Sequence, residues 1–328
     1  YDRLIAELVK KVQEGVDVRL IYDDVGCMGK MPAHFYRTLQ AQGIKCAAFN
    51  PARPVLAIIM NHRDHRKILV VDGKVAYTGG VNIADEYINE IDRFGYWKDT
   101  GIRLEGAAVR SFLVMFLEMW DYIVGGTSDY ERLLQPLDPS GLPVSEGYVQ
   151  PYGDTPLDNE NVGENIYLNM INRAEKYVYI YTPYLILDQE MIVALCNAAM
   201  SGVDVRIITP GIPDKKMVFL LTRSHYAPLL KKGVRIYEYT PGFLHAKCFV
   251  CDDEYATVGS INLDYRSLYL HFECGAFLYR TPSVAQVLTD MEETLAVSRE
   301  VTLADCQRKH PLGMSMLHAL LRLLAPLL

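Results

Sequence analysis

The phrase GVDVR is written twice in this chain, beginning at Gly15 and again at Gly202. A second echo follows each copy: GIKCAAFNP (43–51) is answered by GVRIYEYTP (233–241). A chain that repeats phrases in the same order builds the same unit twice, and that constrains its fold more than any other feature. Each phrase reads as a strand entered through a glycine turn, and the second pair closes on proline. Helical stretches at 33–42 and 216–231 fall between the two strands of each half. Strand, helix, strand in each half predicts α/β architecture with parallel strands.

The third echo carries chemistry. HRKILVVDGKVAYTGGVN starts at His65, and HAKCFVCDDEYATVGSIN starts at His245. The differences 245−65, 247−67, 252−72, 259−79 and 262−82 all equal 180. His, Lys, Asp, Gly and Asn therefore recur at unchanged spacing while most residues between them differ. Packing alone would preserve apolar positions; here polar ones are preserved too. On an extended chain residues i and i+2 face one side, so His65 points with Lys67 and His245 with Lys247. Asp72-Gly73 marks a hairpin turn, and the return strand ends at small residues, Gly79-Gly80 or Gly259-Ser260, which would let a ligand approach the backbone. Asn82 and Asn262 follow.

If the halves pack about a pseudo-twofold axis, the two sets face one cleft. Two lysines and two asparagines suit a phosphodiester without any metal, and two imidazoles supply a nucleophile and an acid. No cofactor is expected. The role split requires one imidazole neutral and the other protonated. His62, in HRD, lacks the lysine and reads as a supporting or surface residue.

His-x-Lys, four residues, Asp, six residues, then Gly-Gly or Gly-Ser resembles the HKD motif of the phospholipase D superfamily, present here in duplicate. NIADEYINEIDRFGYWKDTGIRLEGAAV from Asn82, TPYLILD from Thr182, GFLHAKCFV and the LLRLLAPLL ending resemble bacterial cardiolipin synthases. The resemblance covers nearly the whole chain. It implies two mixed sheets flanked by helices, related by a pseudo-twofold axis, with one active-site cleft between them. It implies transfer of a phosphatidyl group from one phosphatidylglycerol to another through a phosphohistidine, releasing glycerol, with His65 as nucleophile and His245 as acid. It also implies an acid beyond each motif that hydrogen-bonds a catalytic histidine. Asp99 and Glu273 stand in those places, 99−82 = 17 and 273−262 = 11 residues after the motif asparagines. Asp72 and Asp252 belong to the motif, but their turn positions suit a structural role equally. His271 departs from the pattern, since asparagine is usual there. The family places its catalytic part on the cytoplasmic side of the bacterial cell membrane, behind transmembrane helices upstream of a region such as this one.

Three other functions use related parts. A phospholipase D-type hydrolase would let water complete the second step. A nuclease would favour a basic approach surface, whereas this chain carries a net charge of −7, so no nucleic-acid partner is expected. A lipid-binding scaffold would have no need of both His-x-Lys pairs. Seven cysteines without framework spacing predict reduced thiols, and CFVC (248–251) has no second pair at zinc spacing.

The organisation expected is a first half at 1–135, a linker at 136–161 and a second half at 162–328. The stretch 125–161 is rich in Pro, Gly, Asp and Ser and reads as linker plus an edge segment. The helix and Tyr-rich strand of ENIYLNMINRAEKYVYIYTPYLILDQE have no first-half counterpart, so the first sheet is expected to lack a strand and Tyr1 reads as a cut. In the tail, Met314, Leu317, Leu320, Leu321 and Leu324 recur at helical spacing, which suits packing on the domain or lying in a membrane interface.

Overall fold

The computed structural model describes residues 1–51, 61–135 and 145–308. In the first half, helix Asp2–Gln13 leads through Gly15, at φ 88°, into β1 (Arg19–Asp23). Helix Phe35–Ala41 then leads to β2 (Lys45–Phe49), which lies parallel to β1. Ile5, Phe35, Leu39, Ile44 and Cys46 close a small core between the helices and this ladder. After β3 (Arg63–Asp64), the hairpin of β4 (Ile68–Val71) and β5 (Val75–Gly79) pairs with β7 (Gly101–Glu105), and β6 (Tyr96–Lys98) precedes β7.

The second half repeats the order and extends it. Its strands are β8 (Tyr148–Asp154), β9 (Tyr177–Tyr181), β10 (Asp204–Pro210), β11 (Arg235–Tyr239), β12 (Gly242–Leu244), β13 (Cys248–Cys251), β14 (Tyr255–Gly259), β15 (His271–Tyr279) and β16 (Ser298–Val301). They form a mixed sheet in the order β16-β11-β10-β9-β13-β14-β15, with β8 along the outside of β15. Within this sheet β9, β10 and β11 are parallel, while β16, β13, β14, β15 and β8 pair antiparallel with their second-half neighbours; β12 lies outside it. The stretch expected to link the halves thus includes a full strand of this sheet.

The two sheets differ in one strand. β10-β11 matches β1-β2, and β13-β14-β15 matches β4-β5-β7. In the second half β9 joins these groups, pairing with β10 on one side and β13 on the other. Among the described residues no strand joins β1 to β4, so the first half is two separate ladders rather than one continuous mixed sheet. The difference falls at β9, the strand for which the repeat pattern offers no first-half counterpart.

The central strands are buried on both faces, which explains their nearly continuous apolar sequences. Period-two alternation sends Val178, Ile180, Phe249 and Cys251 to one core, where Tyr167 stacks on Phe249. It sends Tyr179, Tyr181, Cys248 and Val250 to the other, where they meet Ala76, Leu104, Val109 and Phe112 of the first half. That second core cements the halves. Helix Val109–Val124 supplies Phe112, which is fully buried; a side chain of this kind contributes about 1.5–3 kcal/mol by leaving water.

Two short exchanges complete the joint. β3 pairs in parallel with the start of β15, and β6 pairs in parallel with β12. Each half lends a strand of two or three residues to the other. All seven cysteines are free thiols. No described helix is long and apolar enough to cross a membrane. The amphipathic tail at 311–326 lies outside the described residues.

Candidate active site

Both His-x-Lys segments sit just before a strand, His65 ahead of β4 and His245 ahead of β13. The strand exchanges decide what each histidine meets. The backbone N–H of His65 donates to the Phe272 carbonyl (3.0 Å), and that of His245 donates to the Lys98 carbonyl (2.7 Å). Phe272 and Lys98 each immediately precede an acid. The acids consequently cross over: Nδ1 of His65 lies 2.9 Å from Oε1 of Glu273, and Nδ1 of His245 lies 2.7 Å from Oδ2 of Asp99. Each imidazole is held by the carboxylate of the opposite half. The loops from motif asparagine to acid differ by 17−11 = 6 residues, yet both deliver the same contact.

The acids are supported differently. Glu273 has no exposed surface and accepts a hydrogen bond from the Ser260 hydroxyl at 2.5 Å. At the equivalent place in the first half, a Cβ on Gly80 would overlap the Asp99 carboxylate. Asp99 also accepts from the Thr100 N–H (2.9 Å). The small residues after the return strands therefore make room for protein rather than ligand. A Cβ on Gly259 would stand 2.5 Å from the Cys274 carbonyl, and one on Gly79 would overlap the Thr100 carbonyl.

Burial governs the electrostatics. It lowers the His65 pKa, with Glu273 opposing and Lys67 adding to the effect. It pushes His245 down to about 3, assisted by the Lys247 ammonium and opposed by Asp99. Burial works to raise both acids, but His65 and His271 outweigh it at Glu273, and His245 and Lys247 outweigh it at Asp99, so both carboxyls lie below their ordinary values. At rest the site holds two neutral imidazoles against two carboxylates. A carboxylate on Nδ1 takes that nitrogen's proton as a hydrogen bond and leaves the lone pair on Nε2. His65 is the more open of the two, its side chain 25% exposed against 7% for His245. Tyr87, Trp97 and Phe243 wall in the His245 ring, with centroids at 5.2, 5.4 and 6.2 Å.

The lysines complete the charge. Lys67 Nζ donates to the His65 carbonyl at 2.5 Å, and Lys247 Nζ donates to the His245 carbonyl while lying 2.9 Å from its Nδ1. Burial lowers both ammonium groups, Lys247 to about 7. Asn82 donates one N–H to the Tyr87 hydroxyl (2.7 Å), and Asn262 donates one to the Ser267 hydroxyl (3.1 Å), so each amide is fixed and retains another N–H.

The motif aspartates are elsewhere. Asp72 and Asp252 sit at the far ends of β4 and β13 from the histidines, in turns where Asp72-Gly73 and Asp252-Asp253 have φ of 53° and 63°. Positive φ at both central residues is the type I′ hairpin, which Asp tolerates. Asp252 also accepts backbone hydrogen bonds from Glu175, Lys176 and Tyr177. The geometry gives these aspartates structural work, not contact with the reacting groups. Sequence reasoning missed Tyr87 and Trp97 as neighbours of His245; both lie in the segment between Asn82 and Val109, where the loop folds back under the motif.

A two-lobed α/β protein whose histidines are paired crosswise with the opposite lobe's acids is of the phospholipase D class. Within that class the chain belongs to the family described as cardiolipin synthase, PLD-like domain, whose model matches residues 1–93 and 167–295. It is 50% identical over its full length to a protein of Streptococcus mutans serotype c, covering 70% of that protein. It is 40% identical to the cardiolipin synthase of Geobacillus thermodenitrificans over 98% of this chain and 63% of that enzyme. The chain thus spans somewhat less than two thirds of such synthases. Among solved structures, phosphatidylserine synthase of Haemophilus influenzae Rd KW20 shares the fold, with TM-score 0.72 and 17% identity over 99% of this chain and 84% of that one.

Proposed function

We propose that this chain carries the catalytic site of a phosphatidyltransferase that condenses two phosphatidylglycerol molecules into cardiolipin and glycerol. The observation that carries the reading is the crosswise pairing of His65 with Glu273 and His245 with Asp99, beside two buried lysines. The chain's similarity to cardiolipin synthases supports the lipid substrate.

The phosphodiester anion settles between Lys67 and Lys247, with the free N–H groups of Asn82 and Asn262 as further donors. Its negative charge favours the imidazolium that burial, and after it the Lys247 ammonium, disfavour, so His245 takes up a proton as substrate binds. Nε2 of His65 then attacks phosphorus. The bond from phosphorus to the departing glycerol oxygen breaks, and His245 donates its proton to that oxygen. This leaves a phosphatidyl group on His65 and a neutral His245. The terminal hydroxyl of a second phosphatidylglycerol loses its proton to His245 and attacks phosphorus, releasing His65. Atoms and charge balance over the two steps, and neither needs a metal. The greater openness of His65 favours it as nucleophile, and the aromatic wall around His245 suits a group that handles only a proton.

The test is product analysis with phosphatidylglycerol in mixed micelles. Cardiolipin with equimolar glycerol is expected. Phosphatidic acid as the sole lipid product would assign the chain to the hydrolases instead.

A further inference from the structure

One group in the cleft is unused by this mechanism. His271 lies beside His65, with ring centroids 5.8 Å apart, and its Nδ1 is 3.7 Å from the same Glu273 oxygen that faces His65. Both of its ring nitrogens are buried, and among the described residues neither has a partner at hydrogen-bond distance, the Glu273 oxygen at 3.7 Å standing too far. A buried imidazole left unsatisfied costs free energy that a packing role alone does not recover. A ligand atom from each of His65, His271 and Glu273 lies within 4.8 Å of the other two.

Two imidazoles and one carboxylate are a familiar donor set for zinc, with a fourth position left open. Ligands around a tetrahedral zinc lie roughly 3.3 Å apart, given bonds of about 2.0–2.1 Å. The distances from Glu273 Oε1 to Nδ1 of His65 and of His271, 2.9 and 3.7 Å, bracket that separation. We propose that His65, His271 and Glu273 form an inhibitory site for a zinc-class divalent cation. The metal takes the lone pair of Nδ1 on His65 in place of the proton now shared with Glu273. That proton leaves to solvent and another is taken up at Nε2, so the imidazole stays neutral but exchanges tautomers. Nε2 then carries a hydrogen and has no lone pair to attack phosphorus. The Lys67 ammonium beside His65 opposes the cation, which suits a reversible regulatory site rather than a permanent structural one.

This inference rests on the reading of His65 as nucleophile, and the experiment separates the two. Metal-stripped full chain is titrated with Co²⁺, followed by visible absorption and calorimetry, and turnover is measured against buffered free Zn²⁺. One Co²⁺ per chain with a tetrahedral spectrum is expected, together with zinc inhibition that EDTA reverses. His271→Asn and His271→Phe should each weaken Co²⁺ binding more than tenfold and raise the zinc midpoint by the same factor, each relative to its own metal-free rate. The Phe variant keeps the ring and loses both nitrogens, so agreement of the two excludes a packing effect. Equal Co²⁺ affinity in wild type and variants would overturn the site. Binding through these residues with turnover unchanged would overturn the inhibition, while the nucleophilic role of His65 is read separately, from whether a phosphatidyl ester of p-nitrophenol labels His65 in the metal-free protein.

Discussion

The carboxylate of Glu273, from the second half of the chain, is the hydrogen-bond partner of His65 in the first, at 2.9 Å. His245 and Asp99 reverse the exchange. Neither half contains a working histidine by its own residues, so the two motifs are parts of one centre.

Loss of either histidine should therefore be almost total. His65→Ala and His245→Ala are each expected to lower kcat by at least about 10³-fold, and the double variant should be little worse than either single one, as for residues acting as a unit. Steady-state turnover of phosphatidylglycerol measures this. Additive losses would mean two independent centres.

The acids provide a way to tell the histidines apart. Glu273→Gln and Asp99→Asn should each reduce kcat by about 10²–10⁴-fold, because the amide no longer fixes the productive tautomer. With a phosphatidyl ester of p-nitrophenol, whose leaving group needs no proton, Asp99→Asn should still accumulate phosphorylated protein at His65. Glu273→Gln should not. Labelling in the opposite order would make His245 the nucleophile.

Lys247 predicts the alkaline limb of the pH profile. Burial and the Lys67 charge lower it, Asp99, Glu273 and Asp264 work to raise it, and His245 sits against it, leaving a value of about 7. Because the free-enzyme value is depressed, the cation is present below pH 7 and is lost as pH rises through it. kcat/KM should accordingly fall above about pH 7. A bound phosphodiester raises the lysine's pKa, so the corresponding fall in kcat should lie at higher pH. Coincident limbs would show that Lys247 does not hold the substrate phosphate.

Gly80 is expected to be irreplaceable for steric reasons. In Gly80→Ala the new methyl overlaps the Asp99 carboxylate, which must turn away from His245. A fall in kcat of about 10²-fold with KM nearly unchanged is expected. Unimpaired turnover in this variant would mean that Asp99 does not set the His245 tautomer.

Much of this centre was legible in the sequence, and the reason is the 180-residue offset. His65, Lys67, Asn82 and their counterparts announce themselves because polar residues recur at fixed spacing. The hairpin at Asp72-Gly73 is legible because positive φ demands particular residues. The partner of each acid was not. Asp99 and Glu273 could be placed, but which imidazole each would meet depends on β3, β6 and β12, strands of two or three residues whose patterns are too short to read. For Asp72 and Asp252 the repeat alone left a turn role and a reacting role equally open, since the turn needs them as much as any reaction could. His271 is visible as a departure, yet only the fold brings it beside His65.

The strand exchange at β3–β15 and β6–β12 also acts as an interlock. A lipid with two acyl chains needs a way in, and parting the lobes would seem the simplest entrance. Yet a parting that draws β15 from β3 carries Glu273 away from His65, and one that draws β12 from β6 carries Asp99 away from His245. Access by that route and reactivity are mutually exclusive states. On the proposed function, a lipid headgroup threads into a cleft whose walls stay shut, leaving its hydrocarbon outside.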